Sequence, residues 1–212
     1  MQKISAFMMI VAAGFAAMPT QAQDPQGPAN RVVTVRVNNP TTPPQILIPA
    51  KDIASKVLAQ AGIRLVWRTT YKTEPTTPMG SCGERRLQVI DISVVDKAPQ
   101  NLMQSAMASA YPFSSGGVRI VVYWDRVQRL HEGVDSSTLR VVLGHVLAHE
   151  IGHILIGKNE HSLSGLMKTT FSRMDQGLMR IKPLPIDPAD IEIMQRNLDN
   201  PPTSCSTVVV GR

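Results

Sequence analysis

The longest apolar stretch of the chain runs from Val141 to Gly157. Wound as a helix it is hydrophobic almost all the way round, interrupted only by His145, His149, Glu150 and His153. A helix without a polar face is buried. Asp135-Ser136-Ser137-Thr138 supplies N-cap candidates, the periodic run begins at Leu139, and Gly157 suits the left-handed residue that ends a helix. The pattern therefore predicts a long core helix over residues 138–157. Upstream, alternation around β-branched residues predicts strands at Arg31–Val37, Ile63–Thr69, Leu87–Val95 and Val118–Trp124, the third apolar enough to be central. Asp52–Ala61 has helical spacing ended by Gly62, and Pro188–Asn197 reads as a short final helix. Gln100–Ala110, rich in Met and Ala, reads as a helix or helical turn whose methionines fill the core. Proline-rich residues 40–49 read as a loop, and residues 70–85 as a long loop suited to specificity. No internal repeat is visible. The element order predicts an α+β domain with a twisted sheet over the long helix.

The polar residues of that helix carry the chemistry. Burying a carboxylate and imidazoles without partners costs several kcal/mol, and a metal ion would supply the partner. His149 and His153 are four residues apart and share a face, where two imidazoles can hold one zinc ion. Glu150 lies beside them, where a carboxylate can take a proton from a water held by the metal. This is the spacing of the zinc-metalloprotease signature. A catalytic zinc site usually has three protein ligands and one open position. Past Gly157 the chain can double back to bring His161 to the metal; Glu160 and Glu192 are the alternatives. His145, one turn before His149, reads as a core histidine bonded to backbone or to a neighbour of a ligand. A membrane span is rejected, because the apolar run falls short of about 20 residues and has an ionisable cluster at its centre.

At these residues the sequence resembles the metzincin superfamily of zinc endopeptidases, and especially small secreted bacterial proteins with a similar long helix, a Gly, and a His-Ser…Gly-(Ile/Leu)-Met segment. The resemblance implies that His149, His153 and His161 are zinc ligands and Glu150 the general base. It makes Gly157 the turn glycine and Met167 the methionine of a tight turn over 162–167 beneath the metal. It further implies a metzincin-like α+β fold, a twisted mixed sheet packed on a long active-site helix. In that fold the strand nearest the helix is a sheet edge that pairs with extended substrate, which would be Val118–Tyr123 here. Tyr123 itself reads as a packing residue. The sequence departs from the family in two ways. Its glycine and third histidine stand four and eight residues after His153 instead of three and six, and Met167 is followed by Lys168-Thr169-Thr170 where the family often has an aromatic.

Residues 1–22 read as a secretory signal, with Lys3, an apolar centre at 4–17 and a Thr20-Gln21-Ala22 cleavage site. Removing them from the 212 residues leaves 190, residues 23–212, enough for a single zinc-peptidase-like domain. No membrane anchor is expected after cleavage, and the destination is periplasmic or extracellular. In such a compartment Cys82 and Cys205 read as one disulfide; a thiolate cap from Cys82 on the zinc is the lesser alternative. The net charge of +6 falls to about +5 without Lys3. The basic residues are scattered and not interleaved with aromatics, so nucleic-acid binding has no support, while a mild preference for acidic surfaces or substrates is compatible with the charge. The reading is a secreted endopeptidase with one zinc ion and a peptide or protein substrate. A zinc-holding, non-catalytic envelope or binding module and a metal-free structural domain are the other readings.

Overall fold

Val33, Val35 and Val37 alternate with half-buried residues along β1 (Arg31–Asn38), and the same period repeats along β3 (Val89–Val95). Alternation of this kind turns one face of a sheet to the core. The computed structural model describes residues 31–70, 89–103, 106–112, 118–131 and 135–200. The expected signal segment, the loop beyond Thr70, Cys82 and Cys205 lie outside these residues.

Five strands form one mixed sheet in the order β2-β1-β3-β5-β4, with β2 at Ile63–Thr69, β4 at Ala108–Tyr111 and β5 at Arg119–Tyr123. Among the described residues β2, β1, β3 and β5 are parallel; β4 alone is antiparallel, and it forms the edge beside β5. Register places Val35 opposite Ile90, Val37 opposite Ile92, Ile92 opposite Ile120 and Val94 opposite Val122. These side chains make one continuous apolar face. Two helices cover it: α1 (Pro44–Ala59) through Leu47 and α3 (Ser136–Ile156) through Leu143 and Leu147. α2 (Trp124–His131) follows β5 directly, and α4 (Arg173–Met179) and α5 (Pro188–Asp199) come after α3. The architecture is α+β, a twisted sheet on a long helix, as the hydrophobic pattern predicts.

Besides α2 and α4, helices that the sequence reading did not anticipate, three segments differ from it. The loop expected over 40–49 is half helix, because α1 starts at Pro44. Proline is tolerated at the first helical position, where its missing N–H would be unpaired in any residue. Pro49 inside the helix forgoes one bond, but Ile46, Leu47 and Ala50 around it are buried. The helix expected over 100–110 is a turn followed by β4, whose residues alternate buried and half-buried. Alanine is mildly disfavoured in strands, and pairing with β5 outweighs that preference. Met103 is correspondingly not core filler but 69% exposed. Finally, the strand segment 118–123 is not the edge: β5 lies between β3 and β4. Tyr123 is buried, its hydroxyl 3.2 Å from Ser109 Oγ, which fits a packing role.

α3 has 21 residues, long and apolar enough to cross a membrane by length and composition, yet it is almost wholly buried within the protein. Asp135 caps it, accepting the Thr138 N–H at 2.8 Å, and Gly157 ends it with φ of 77°. At the far end Asn197 of α5 donates to the Leu155 and Ile156 carbonyls at 2.9 and 3.0 Å, satisfying acceptors that a helix end leaves open.

The cap is pH-sensitive. Hydrogen bonds from Ser137 and from the Thr138 N–H hold the Asp135 carboxyl at about 2, below its ordinary 3.8. A carboxyl more acidic in the folded state stabilises fully above its unfolded value and loses that contribution as pH falls through the folded one. Asp135→Ala is expected to lower Tm at pH 7, with the gap to wild type narrowing as pH drops from about 4 towards 2. Thermal melts across that range check this; a gap constant with pH contradicts it.

Candidate metal centre

His149 and His153 project from the same side of α3, both buried, with ring centroids 4.5 Å apart. His161 comes to them from beyond the helix end. Its ring stacks on His149 at 5.4 Å and meets His153 edge-on at 4.8 Å. One ring nitrogen from each of the three lies within 4.8 Å of the others. His161 is exposed, so the cluster opens to solvent on that side. Of the two residues in excess of the motif spacing, one lies between His153 and Gly157 and the other between Gly157 and His161.

The tautomers follow from the partners. His149 Nδ1 is 2.8 Å from the Leu166 carbonyl, and His153 Nδ1 is 2.9 Å from the Lys158 carbonyl. A carbonyl only accepts, so each Nδ1 carries the proton and donates it. Both Nε2 atoms are then unprotonated, and they face each other at 3.0 Å. Two lone pairs in that arrangement repel. Protonating one ring would relieve them, but burial opposes this: it is the main cause lowering His149 to about 4, and it also lowers His153. Neutral imidazoles with Nδ1–H bonded to carbonyls and Nε2 converging are a donor set for a borderline-soft cation such as zinc. The residues present fit the ion that the motif implies.

His145 stands apart from this cluster. Its Nδ1 donates to the Val141 carbonyl at 2.8 Å, and its Nε2 accepts the Leu184 N–H at 3.2 Å. Both nitrogens are used, so it is a satisfied core histidine. Glu160 is exposed and paired with Lys158 at 3.6 Å, and Glu192 is exposed and paired with Arg196 at 3.9 Å; neither joins the three histidines.

Glu150 is buried, and burial raises its carboxyl to about 7, opposed by a hydrogen bond from the Ala110 N–H. That donor belongs to the sheet edge. Tyr123 N–H bonds to Met107 O at 2.9 Å, so in the alternating antiparallel pattern Ser109 and Tyr111 also face β5, while Ala108 and Ala110 turn their backbone groups outward. Ala108, Ser109 and Ala110 line a cleft of about 590 Å³ together with Glu150 and the three histidines. The strand beside the cleft is therefore β4, correcting the assignment of Val118–Tyr123.

Below the cluster, Met167 is buried against Gly152 of α3. A Cβ on Gly152 would stand 2.6 Å from Met167 Sδ, so the thioether occupies the space that any side chain there would fill. The turn of 162–167 is closed by Ser162 N–H to Met167 O at 2.8 Å and anchored by Leu166 N–H to Pro185 O at 2.8 Å. Ser162 Oγ also donates to Asp190 of α5 at 2.7 Å, tying the segment after His161 to the following helix. Phe171 meets the His149 ring edge-on at 5.8 Å. It supplies the aromatic contact missing directly after Met167, one residue beyond the Lys-Thr-Thr run. Asp190, Ala110 and Phe171 escape sequence reasoning; only Phe171 left a signal, as an aromatic close behind the turn.

No protein-family model and no curated protein matches the sequence. Among solved structures, the chain is similar to a zinc-dependent peptidase from Methanocorpusculum labreanum, with TM-score 0.51 and 14% identity over 76% of this chain and 99% of that one. Archaemetzincin from Methanopyrus kandleri matches with TM-score 0.44 and 18% identity, over 83% of this chain and 99% of that one. At such identity the first likeness is one of fold.

Gly165 has φ of 70°, and a Cβ there would collide with the Pro185 carbonyl. Gly165→Ala is expected to cost roughly 1–3 kcal/mol of stability. Because Leu166, next along, holds His149, it should also weaken zinc retention. Denaturant unfolding and zinc analysis of the purified variant test this; wild-type values in both contradict it.

Proposed function

We propose that the protein is a zinc-dependent endopeptidase. The observation that carries the reading is the pair of neutral, carbonyl-anchored imidazoles with Nε2 atoms converging at 3.0 Å, completed by His161 and placed in one cleft with Glu150. His149, His153 and His161 would hold one zinc ion. Zinc bound there would polarise a scissile carbonyl and make a water more acidic.

The chain's own residues do the rest. Peptide bond hydrolysis adds water across the C–N bond, so a proton must leave the attacking water and reach the departing amine. Glu150 takes the first and delivers the second. Burial brings its carboxyl to about 7, where both steps are accessible near neutral pH, and a cation nearby would draw it lower. The outward N–H and C=O groups of Ala108 and Ala110 are positioned to pair with an extended peptide laid along β4. Met167 packs as an apolar floor and exchanges no proton. The signal-like residues 1–22 support export, and a single domain over 23–212 with a Cys82–Cys205 bridge fits that destination.

Zinc content of mature protein, beside His161→Ala and Glu150→Gln, tests the assignment. Wild type should hold about one zinc per chain, on the three-ligand pattern. His161→Ala should weaken retention by more than about 100-fold, beyond the loss of a supporting hydrogen bond. Glu150→Gln should keep zinc and lose hydrolysis of a peptide panel by on the order of 10²–10⁴-fold. Wild type that retains no zinc after refilling overturns the reading. Zinc without turnover over a broad panel leaves a zinc-holding binding module.

A further inference from the structure

Apart from the histidines and Glu150, every ionisable side chain lining the cleft among the described residues is cationic: Arg126, Arg129 and Lys168. Their carboxylate partners among the described residues do not line it. Asp125 Oδ2 lies 3.6 Å from Arg126 Nε and 3.5 Å from Arg129 Nη2, and Asp175 Oδ2 lies 2.7 Å from Lys168 Nζ. Asp125 is held back by the Ala98 N–H at 3.0 Å, and Asp175 by the N–H and hydroxyl of Ser172 at 2.8 and 2.7 Å. The counter-ions stand behind the cations, which face the cavity.

The arginines also have a defined place relative to the cluster. Arg126 and Arg129 are three residues apart on α2 and share a face. Val142 and Val146 stand on α3 ahead of His149 and line the same cleft. The floor from His149 back to Val142 is about 10 Å long at the helical rise, apolar, and shared with the two arginines. A scissile bond at the histidines therefore leaves about three extended residues, at about 3.3–3.6 Å each, over an apolar floor with guanidinium groups in its lining. A guanidinium fork matches a carboxylate in shape and charge, and apolar walls strengthen the attraction.

We infer, on the peptidase reading above, that the cleft selects peptides carrying a glutamate or aspartate within about three residues of the scissile bond, with Arg129 receiving the carboxylate. The net positive charge, +6 for the full chain and about +5 without Lys3, favours the approach of such substrates.

Two measurements test this together. A mixed peptide library is digested by zinc-loaded mature protein and by Arg129→Glu, with Glu150→Gln as the blank, and the cleavage sites are read by mass spectrometry. In parallel, labelled hexapeptides that differ only in a central Glu, Gln or Lys are titrated at low salt into zinc-loaded Glu150→Gln, with and without Arg129→Glu. Arg129 is half-exposed, so its replacement leaves the core intact. Acidic residues should be enriched beside the cleaved bonds in wild type and depleted in Arg129→Glu. The Glu peptide should bind roughly three- to fivefold tighter than the Gln peptide, with the order reversed by Arg129→Glu. Cleavage without acidic enrichment, with equal binding of the three peptides, overturns the charge selection and leaves the peptidase reading standing. An uncut library with a Glu preference in binding that Arg129→Glu reverses supports the selection and counts against the peptidase reading. An uncut library with equal binding overturns both.

Discussion

Two backbone carbonyls, those of Leu166 and Lys158, decide the state of the buried histidines. Each receives an Nδ1–H, so each histidine presents a bare Nε2 to the same point in space. Without those acceptors the rings would be free to rotate or to exchange protons, and α3 would carry polar atoms in the core at a cost of about 1–3 kcal/mol for each one left unpaired. Much of the chain after α3 exists in relation to this constraint. Gly157 turns the backbone so that Lys158 O points back at His153. Gly165, against Pro185, sets Leu166 O under His149.

The frame around those carbonyls is built from α5 and the segment before it. Asp190 fixes the residue after His161 through Ser162, Pro185 holds Leu166, and Asn197 takes up the last carbonyls of α3. The segment between α4 and α5 also satisfies His145, through the Leu184 N–H. Thus a short C-terminal region with few buried side chains of its own supplies the hydrogen bonds that an otherwise apolar helix lacks. On the opposite wall, β4 contributes mainly backbone. Its outward groups are unpaired by the sheet, and one of them bonds the carboxylate of Glu150. The cleft thus has a metal-type donor set below, a strand edge beside it, and cations in its lining, each from a different element.

Much of this was legible in the residues. The all-round apolar run, the Asp135 cap and Gly157 located α3 closely, and alternation located β1, β2 and β3. The satisfied state of His145 was also readable, as a histidine one turn from the pair. What failed did so for identifiable reasons. Pro43-Pro44 reads as a loop unless the burial of Ile46 and Leu47 against the sheet is known, because proline at a helix start and proline in a loop look alike in sequence. Ala108–Tyr111 reads as helix because its strand character comes from pairing with β5 and not from its own composition. That error carried over to the cleft, making β5 the edge when β4 lies outside it.

The sequence by itself determined which side chains can do chemistry and that two of them lie one helical turn apart, since those facts depend only on residue type and on the 3.6-residue period. It also made the helix a core helix, since nothing polar remained to face water. Only the tertiary structure decided which group joins them. The sequence favoured His161 and left Glu160 and Glu192 as alternatives, and the place of His161 beside His149 and His153 rests on the path of the chain after Gly157. The tautomers, the strand that faces the cleft and the cations that line it were likewise decided by tertiary contacts. Each depends on backbone groups and side chains distant in sequence, whose meeting no local pattern encodes.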